Sequence, residues 1–415
     1  MDNLTRKLKG SLPSTIFDIL IEAGELCDRN GFKLFMVGGR VRDLFLGRAG
    51  MDIDLVVEGN ALVLAEELAK LRGASFTPHH RFKTAALETE GYNLDIATAR
   101  RESYPHPGAL PVIEPGSLDD DLKRRDFSIN AMAVSLNNHD FGRLIDPLKG
   151  RLDLNHGLIR ILHPGSFKDD ATRIFRAVRY EQRFGFSMEA ETMNALVRHK
   201  NYLASISPDR LRYEVECILN EKYPEKALKR AGSLSVLSHL HPSLQFSARK
   251  SSWFKQAREM FYPQRPPADL YLALACYGLR QSESSLLEKR LNLPGATSRI
   301  LADAVALQQK IKELSDNCLE SSEIYNRLIN YDPVAVTACM IASDQPAAKK
   351  NMDCFLRILR YVKPALSGDD LKNLGVPHGP QIGQMLDRLK SARLDGHAVT
   401  RQDEANLVKN WLGKS

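Results

Sequence analysis

Apolar residues in the first hundred positions fall into short runs bounded by glycine, proline or charge. Lys33–Val37 and Met51–Val57 are short and rich in branched side chains, the pattern of strands. Residues 14–29 and Ala61–Leu71 carry the spacing of amphipathic helices. Phe82–Glu88 and Tyr92–Ala97 read as neighbouring strands joined by a turn at Glu90-Gly91. Tyr104–Pro111 holds three prolines and a glycine and cannot be regular structure. Past about residue 165, strand-like runs give way to helical periodicity. The pattern predicts an α+β protein: a mixed head followed by a long all-helical remainder.

The second run carries more than a core face. In a strand Asp52 and Asp54 point to one side, and Ile53, Leu55 and Val57 to the other. Two carboxylates on one face repel, and burying them unpaired is costly. A divalent cation relieves both problems, and Mg²⁺ takes one or two carboxylates together with waters and substrate phosphates. A solvated acidic edge strand fits the three residues equally well when they are taken alone. The preceding residues add Gly38-Gly39 between a strand and a helix opening Arg40-Val41-Arg42-Asp43. Paired glycines let backbone N–H groups approach a phosphate, and the helix start and arginines supply positive charge. The third glycine of the dinucleotide fingerprint is missing, which argues against a dehydrogenase.

Three further stretches add chemistry. Asp95, in Leu94-Asp95-Ile96-Ala97, offers one more carboxylate from a neighbouring strand, or a solvated strand residue. In Arg124-Arg125-Asp126-Phe127-Ser128-Ile129-Asn130, Asp126 or Ser128 is placed to cap a following helix. The arginines suit phosphate or ribose, and Asn130 offers both a donor and an acceptor. In the third stretch, Arg173, Arg176, Arg179 and Arg183 share one helix face, with Asp170 one turn before Arg173. That face is either solvated or, through Asp170 and Arg173, an array able to read a base edge.

Composition narrows the class. The 415 residues allow two to four domains, with 43% hydrophobic and 26% charged residues as in globular proteins. A formal net charge of +7 suggests a polyanionic partner. Six scattered cysteines form no C-x-x-C pair, so neither a zinc site nor a disulfide framework is expected. No apolar run has the length of a signal peptide or a membrane span. A reducing cytoplasm is the expected location.

In order, G-G-x-V-R-D, D-x-D, R-R-D-F-S-I-N-A-M and D-D-x-x-R-x-x-R resemble the class II tRNA nucleotidyltransferases. These are the CCA-adding enzymes with their CC-adding, A-adding and bacterial poly(A) polymerase relatives. The resemblance covers about residues 30–240 and extends loosely to Leu366–Gly383. It implies a polymerase-β-like head over 1–160, a helical neck over 161–240 that recognises the base, and a tRNA-binding body and tail over 241–415. It further implies Mg²⁺ on Asp52 and Asp54, with Asp95 as a third catalytic carboxylate. Gly38, Gly39 and Arg42 would lie at the triphosphate, Arg125 at the nucleotide, and Asn130 in the region sensing the ribose. Asp170 and Arg173 would pair with the base of CTP or ATP, supported by Arg176 and Arg179. The implied activity is addition of C and/or A to the 3′ end of tRNA. Poly(A) addition to other RNAs, or RNA binding by a head without activity, are the alternatives. Two departures stand out: Asp169-Asp170 replaces the usual Glu-Asp, and the Arg101–Leu118 segment lacks an Arg-Arg-Pro stretch, in the manner of A-adding relatives.

Overall fold

The computed structural model of the chain describes residues 3–48, 50, 52–89 and 91–413. Met51 and Glu90, part of the expected strand and turn, lie outside them. The chain divides into two compact units, Met1–Glu214 and Val215–Ser415.

The first unit is built on a seven-stranded sheet. Its strands are β1 (Lys33–Val37), β2 (Asp52–Glu58), β3 (Ser75–His79), β4 (Thr84–Thr89), β5 (Tyr92–Thr98), β8 (Ala133–Ser135) and β9 (Leu144–Ile145), in the order β3-β4-β5-β2-β1-β8-β9. Strands β6 (Arg100–Ser103) and β7 (Val112–Pro115) form a separate hairpin around the proline-rich loop. β2 and β5 run parallel; the other neighbours in the large sheet are antiparallel. Ile53, Leu55, Val57, Leu94 and Ile96 are fully buried. Helices α2 (Ser14–Arg29) and α4 (Ala61–Arg72) pack against this part of the sheet. α1 (Thr5–Ser11) precedes them, and α3 (Gly39–Leu46) joins β1 to β2. On the other side, Leu118 and Leu122 of α5 (Leu118–Lys123) pack with Phe35, Val37, Val56 and Ala133. A capping box between Ser117 and Asp120 starts α5, with three aspartates in its first turn complementing the helix dipole. The carboxylates of β2 lie on this second face.

Two expectations need correction here. No helix follows Asp126: Ser128–Asn130 makes one 3₁₀ turn, and the chain then enters β8. The run Ile129–Val134 is apolar enough to be a central strand, and sheet pairing with β1 wins over the cap-like residues. Strands also persist past residue 165, because Ser187–Met188 (β11) pairs in parallel with Leu158–Ile159 (β10). α6 (Gly150–His156) and α7 (Ser166–Asp169) lead to α8 (Thr172–Phe184), which ends at Gly185 in the left-handed region; α9 (Ala190–His199) and α10 (Pro208–Leu219) follow.

The second unit contains eleven further helices among the described residues, α11 (Pro224–Ser233) to α21 (Arg401–Leu412). Those used below are α12 (Ala248–Phe261) and α13 (Ala268–Cys276). Residues beyond about 365 have their own core of Leu366, Leu371, Val376, Leu389 and Val408. It is tied down by buried Glu404, which accepts hydrogen bonds from the Ala365 and Leu366 amides and from Arg393.

Candidate functional site

The register of β2 on β5 sets Asp54 opposite Asp95, and Asp52 opposite Asn93. Paired positions share a face, so all three carboxylates lie on the same side of the sheet. Asp52 and Asp95 are exposed and Asp54 is half-buried. Burial raises the Asp54 carboxyl, and Asp95 and Asp52 raise it further against the pull of Arg125. Asp95 is raised by burial and by Asp52. The raised carboxyls of Asp54 and Asp95 mark excess negative charge, which is the environment a cation needs. Among the described residues no three His, Cys, Asp or Glu side chains converge on a point. A cation on Asp52 and Asp54 would therefore complete its sphere with water and phosphate oxygens.

Gly38 sits beside them with φ +70°, where a side chain is strained. A Cβ there would stand 2.5 Å from Nη1 of Arg125 and 3.6 Å from Oδ2 of Asp54. A side chain there would have to push that guanidinium aside as well as adopt a left-handed backbone. Gly39 opens α3 and lines the adjoining cleft of about 670 Å³, as do Arg42, Arg125, Asn130, Asp170, Arg173 and Arg176.

Arg42 is thoroughly engaged. Its guanidinium donates to both oxygens of Asp43 (2.9 and 3.1 Å) and to Oδ1 of Asn130 (2.6 Å), and lies 4.7 Å from the Phe184 ring centroid. Asn130 donates to Asp126 Oδ1 at 2.9 Å, and Asp126 Oδ2 accepts from Nε and Nη2 of Arg176 at 2.9 and 2.7 Å. A buried chain of hydrogen bonds thus runs from α3 through the Arg124–Asn130 segment to α8. Burial alone would raise the Asp126 carboxyl, but Arg176 and Asn130 outweigh it and hold it at about 2.

The arginine face of α8 is solvated only at its far end, at Arg183. Arg173 and Arg179 are buried, at 5% and 6% exposure. Arg173 donates to Ser166 Oγ and to the Arg124 carbonyl, each at 2.7 Å. Arg179 lies 3.7 Å from Glu214, as does Arg176. Asp170 lies before α8 in extended backbone, so it and Arg173 do not share a helix. Its Oδ1 accepts from Thr172 N–H (3.1 Å), Thr172 Oγ1 (2.7 Å) and Arg210 (2.7 Å). These bonds fix the carboxylate at the cleft while Arg173 reaches it from the first turn of α8.

Several residues of the cleft escaped sequence reasoning. Asp121, fully buried, is forked by Arg124 and Arg125 at 2.5 and 2.9 Å. Burial pushes its carboxyl up, but the two arginines prevail and hold it below the ordinary range. Glu102 accepts from Arg124 (3.0 Å) and the Tyr104 hydroxyl (2.9 Å), so the β6–β7 hairpin supplies one wall. Arg210, Tyr213 and Glu214 of α10 supply another. Burial raises the Glu214 carboxyl despite Arg176 and Arg179. The signal available was Asp209-Arg210-Leu-Arg212-Tyr213-Glu214, a charged run opening an otherwise apolar helix.

A mixed sheet with a Gly-Gly turn beside paired carboxylates, facing a cleft lined with arginine, defines a nucleotidyltransferase head. Comparison with known proteins agrees. The family described as "Poly A polymerase head domain" matches residues 34–160, and "Probable RNA and SrmB-binding site of polymerase A" matches 185–247. An A-adding tRNA nucleotidyltransferase of Halalkalibacterium halodurans is 32% identical over 99% of this chain and 96% of its own. A CC-adding tRNA nucleotidyltransferase of Deinococcus radiodurans is 39% identical, covering 92% and 90%. An A-adding relative from Geobacter sulfurreducens is 33% identical over 96% of this chain but only 47% of its own, so the chain spans about half of that protein. Among solved structures, a CCA-adding enzyme in an apo form matches with a TM-score of 0.84 at 30% identity, covering 99% of both chains. The Thermotoga maritima CCA-adding enzyme complexed with tRNA matches with a TM-score of 0.79 at 28% identity over 99% of both. The chain belongs to the family of tRNA nucleotidyltransferases and bacterial poly(A) polymerases, a family of enzymes. No helix among the described residues is long and apolar enough to cross a membrane.

Proposed function

We propose that this chain adds C and/or A to the 3′ end of tRNA from CTP or ATP, releasing pyrophosphate. One observation carries the reading: Asp54, Gly39 and the Asp170–Arg173 pair line a single cleft. In this reading residues 1–160 form the catalytic head, 161–240 the base-recognising neck, and 241–415 the tRNA-binding body and tail, acting in the cytoplasm.

Asp52 and Asp54 would hold Mg²⁺; their shared face and the raised carboxyl of Asp54 fit that role. When bound, the cation would offset triphosphate charge and assist the attacking and leaving oxygens. Asp95 places a third carboxylate beside the reacting oxygens. Gly38 and Gly39 let backbone approach the triphosphate, and Arg125, poised over Gly38, contacts the nucleotide. Arg42 orders Asn130, which faces the ribose, through their 2.6 Å hydrogen bond. Arg176 and Arg179 hold the base-reading segment in place.

Base choice follows from donor and acceptor chemistry. Cytosine and adenine each present an amino donor next to a ring-nitrogen acceptor. Asp170 accepts from the amino group and Arg173 donates to the ring nitrogen. Uracil and guanine reverse both signs, and each buried mismatch costs about 1–3 kcal/mol. The A-adding relatives and the Arg101–Leu118 segment support ATP, whereas the CC-adding relative supports CTP.

The deciding experiment offers CTP and ATP separately to tRNAs ending before C74, before C75 and before A76. Incorporation on at least one acceptor is expected, and the pattern names the specificity. Absence of incorporation on all three refutes the reading, and equal extension of unrelated RNAs would make the chain a poly(A) polymerase.

A further inference from the structure

The positive charge of this chain is concentrated. Residues 219–266 carry nine Lys and Arg against three Glu, while the rest of the chain holds 49 against 48. One stretch therefore accounts for nearly all of the net charge of +7. Lys250 is turned inward, donating to the Gln245 and Ala275 carbonyls, but Lys222, Lys226, Lys229, Lys255 and Arg265 are exposed. A surface of that kind attracts a polyanion.

Within the same stretch lies a cleft of about 650 Å³, far from the head carboxylates in sequence and made wholly from the second unit. The connection between α10 and α11 forms one wall with Lys222 and Tyr223, and the connection between α12 and α13 forms the other with Tyr262 and Arg265. Tyr262 is 83% exposed, an unusual state for a large aromatic ring. Tyr223 is 42% exposed and has Lys222, Lys226 and Arg258 within 5.3 Å of its ring centroid. The floor is held rigid: Arg258 makes a two-pronged contact with Glu225 at 2.7 and 2.8 Å. An open aromatic face such as that of Tyr262, beside exposed cations, is the combination that binds a nucleotide pulled out of a base stack, the ring taking the base and the cations its phosphate. Cations alone would serve a duplex backbone and would leave Tyr262 without a purpose.

We infer that this cleft binds an unpaired nucleotide of RNA, with its base on Tyr262 and its phosphate against Lys222 and Arg265. The inference rests on the reading that the chain acts on RNA.

The test is a fluorescence-anisotropy titration of the full chain with a labelled adenylate dodecamer, in parallel with an abasic strand of equal length. Wild type should favour the base-bearing strand, and Tyr262→Ala should weaken it about tenfold while leaving the abasic strand unchanged. The Lys222→Ala, Arg265→Ala double variant should weaken both strands and flatten the salt dependence by about one and a half in log–log slope. Both substitutions are at exposed positions. Equal affinity for the two strands in wild type overturns the stacking. Wild-type affinity in every variant overturns the site. Nucleotide addition is measured on the same preparations. If wild type adds nothing to any RNA, the head assignment fails while the titration still reports on the cleft.

Discussion

Asp126 is the point at which the head and α8 depend most on one charge, and its loss has a calculable signature. Its carboxyl is held at about 2 against an ordinary 3.8. A folded-state value below the unfolded one contributes stability above the unfolded value, and that stability disappears as pH falls through the folded one. The gap corresponds to about 2 kcal/mol at pH 7, about 1 kcal/mol at pH 3, and almost nothing near pH 1. Asp126→Asn keeps the shape and one acceptor but removes the charge facing Arg176. The variant should therefore be less stable than wild type by about 2–3 kcal/mol at pH 7, with the difference narrowing to about 1 kcal/mol at pH 3. Urea unfolding followed by far-ultraviolet circular dichroism, or amide exchange across α8, is the assay. Tryptophan fluorescence is unsuitable, because Trp253 and Trp411 both belong to the second unit. A difference below about 1 kcal/mol at pH 7, or one that does not change with pH, would refute the assignment of this stability to the Asp126 charge.

Asp54→Asn should reduce nucleotide addition to background yet raise Tm in metal-free buffer, since it removes a carboxylate whose charged form the fold disfavours. Wild type, with that carboxyl raised, should gain stability as pH falls through the elevated value, and the variant should lack this gain; calorimetry across pH decides. Gly38→Ala forces a side chain into φ +70° against Arg125, costing about 1–2 kcal/mol of backbone strain. Its KM for the nucleotide should rise, and unchanged kinetics would remove Arg125 from the phosphate turn. Arg173→Ala should narrow the preference of the enzyme among the four nucleotides by about tenfold or more with tRNA affinity retained, as read by competition incorporation.

The head was readable where local pattern and tertiary context agree. β1 and the helices after Pro13 and Asn60 follow their apolar spacing closely. Asp52 and Asp54 share a face because strand geometry leaves no other arrangement. What the sequence could not show is pairing across distance. The parallel register that sets Asp95 beside Asp54 depends on a crossover of more than thirty residues. β8 and β9 are too short to be recognised without β1 beside them. The arginine face of α8 stayed open between a solvated surface and a base-reading array, because helical periodicity reports which residues lie together and not what covers them. Their partners, Asp126, Ser166 and Glu214, come from three separate segments.

The cleft divides its labour between two parts of the fold. The carboxylates belong to the sheet, whereas Asp170 and Arg173 belong to the junction of α7 and α8. The two are joined by Asp126–Arg176 and by Arg173 on the Arg124 carbonyl. If the α7–α8 junction reads the base as proposed, substitutions there, in the hairpin wall or in α10 would change which base is accepted while leaving the sheet carboxylates in place. Duplicated copies of one ancestral gene could part company by this route, one keeping cytidine and the other adenosine, through a handful of substitutions that each leave a folded and competent catalyst.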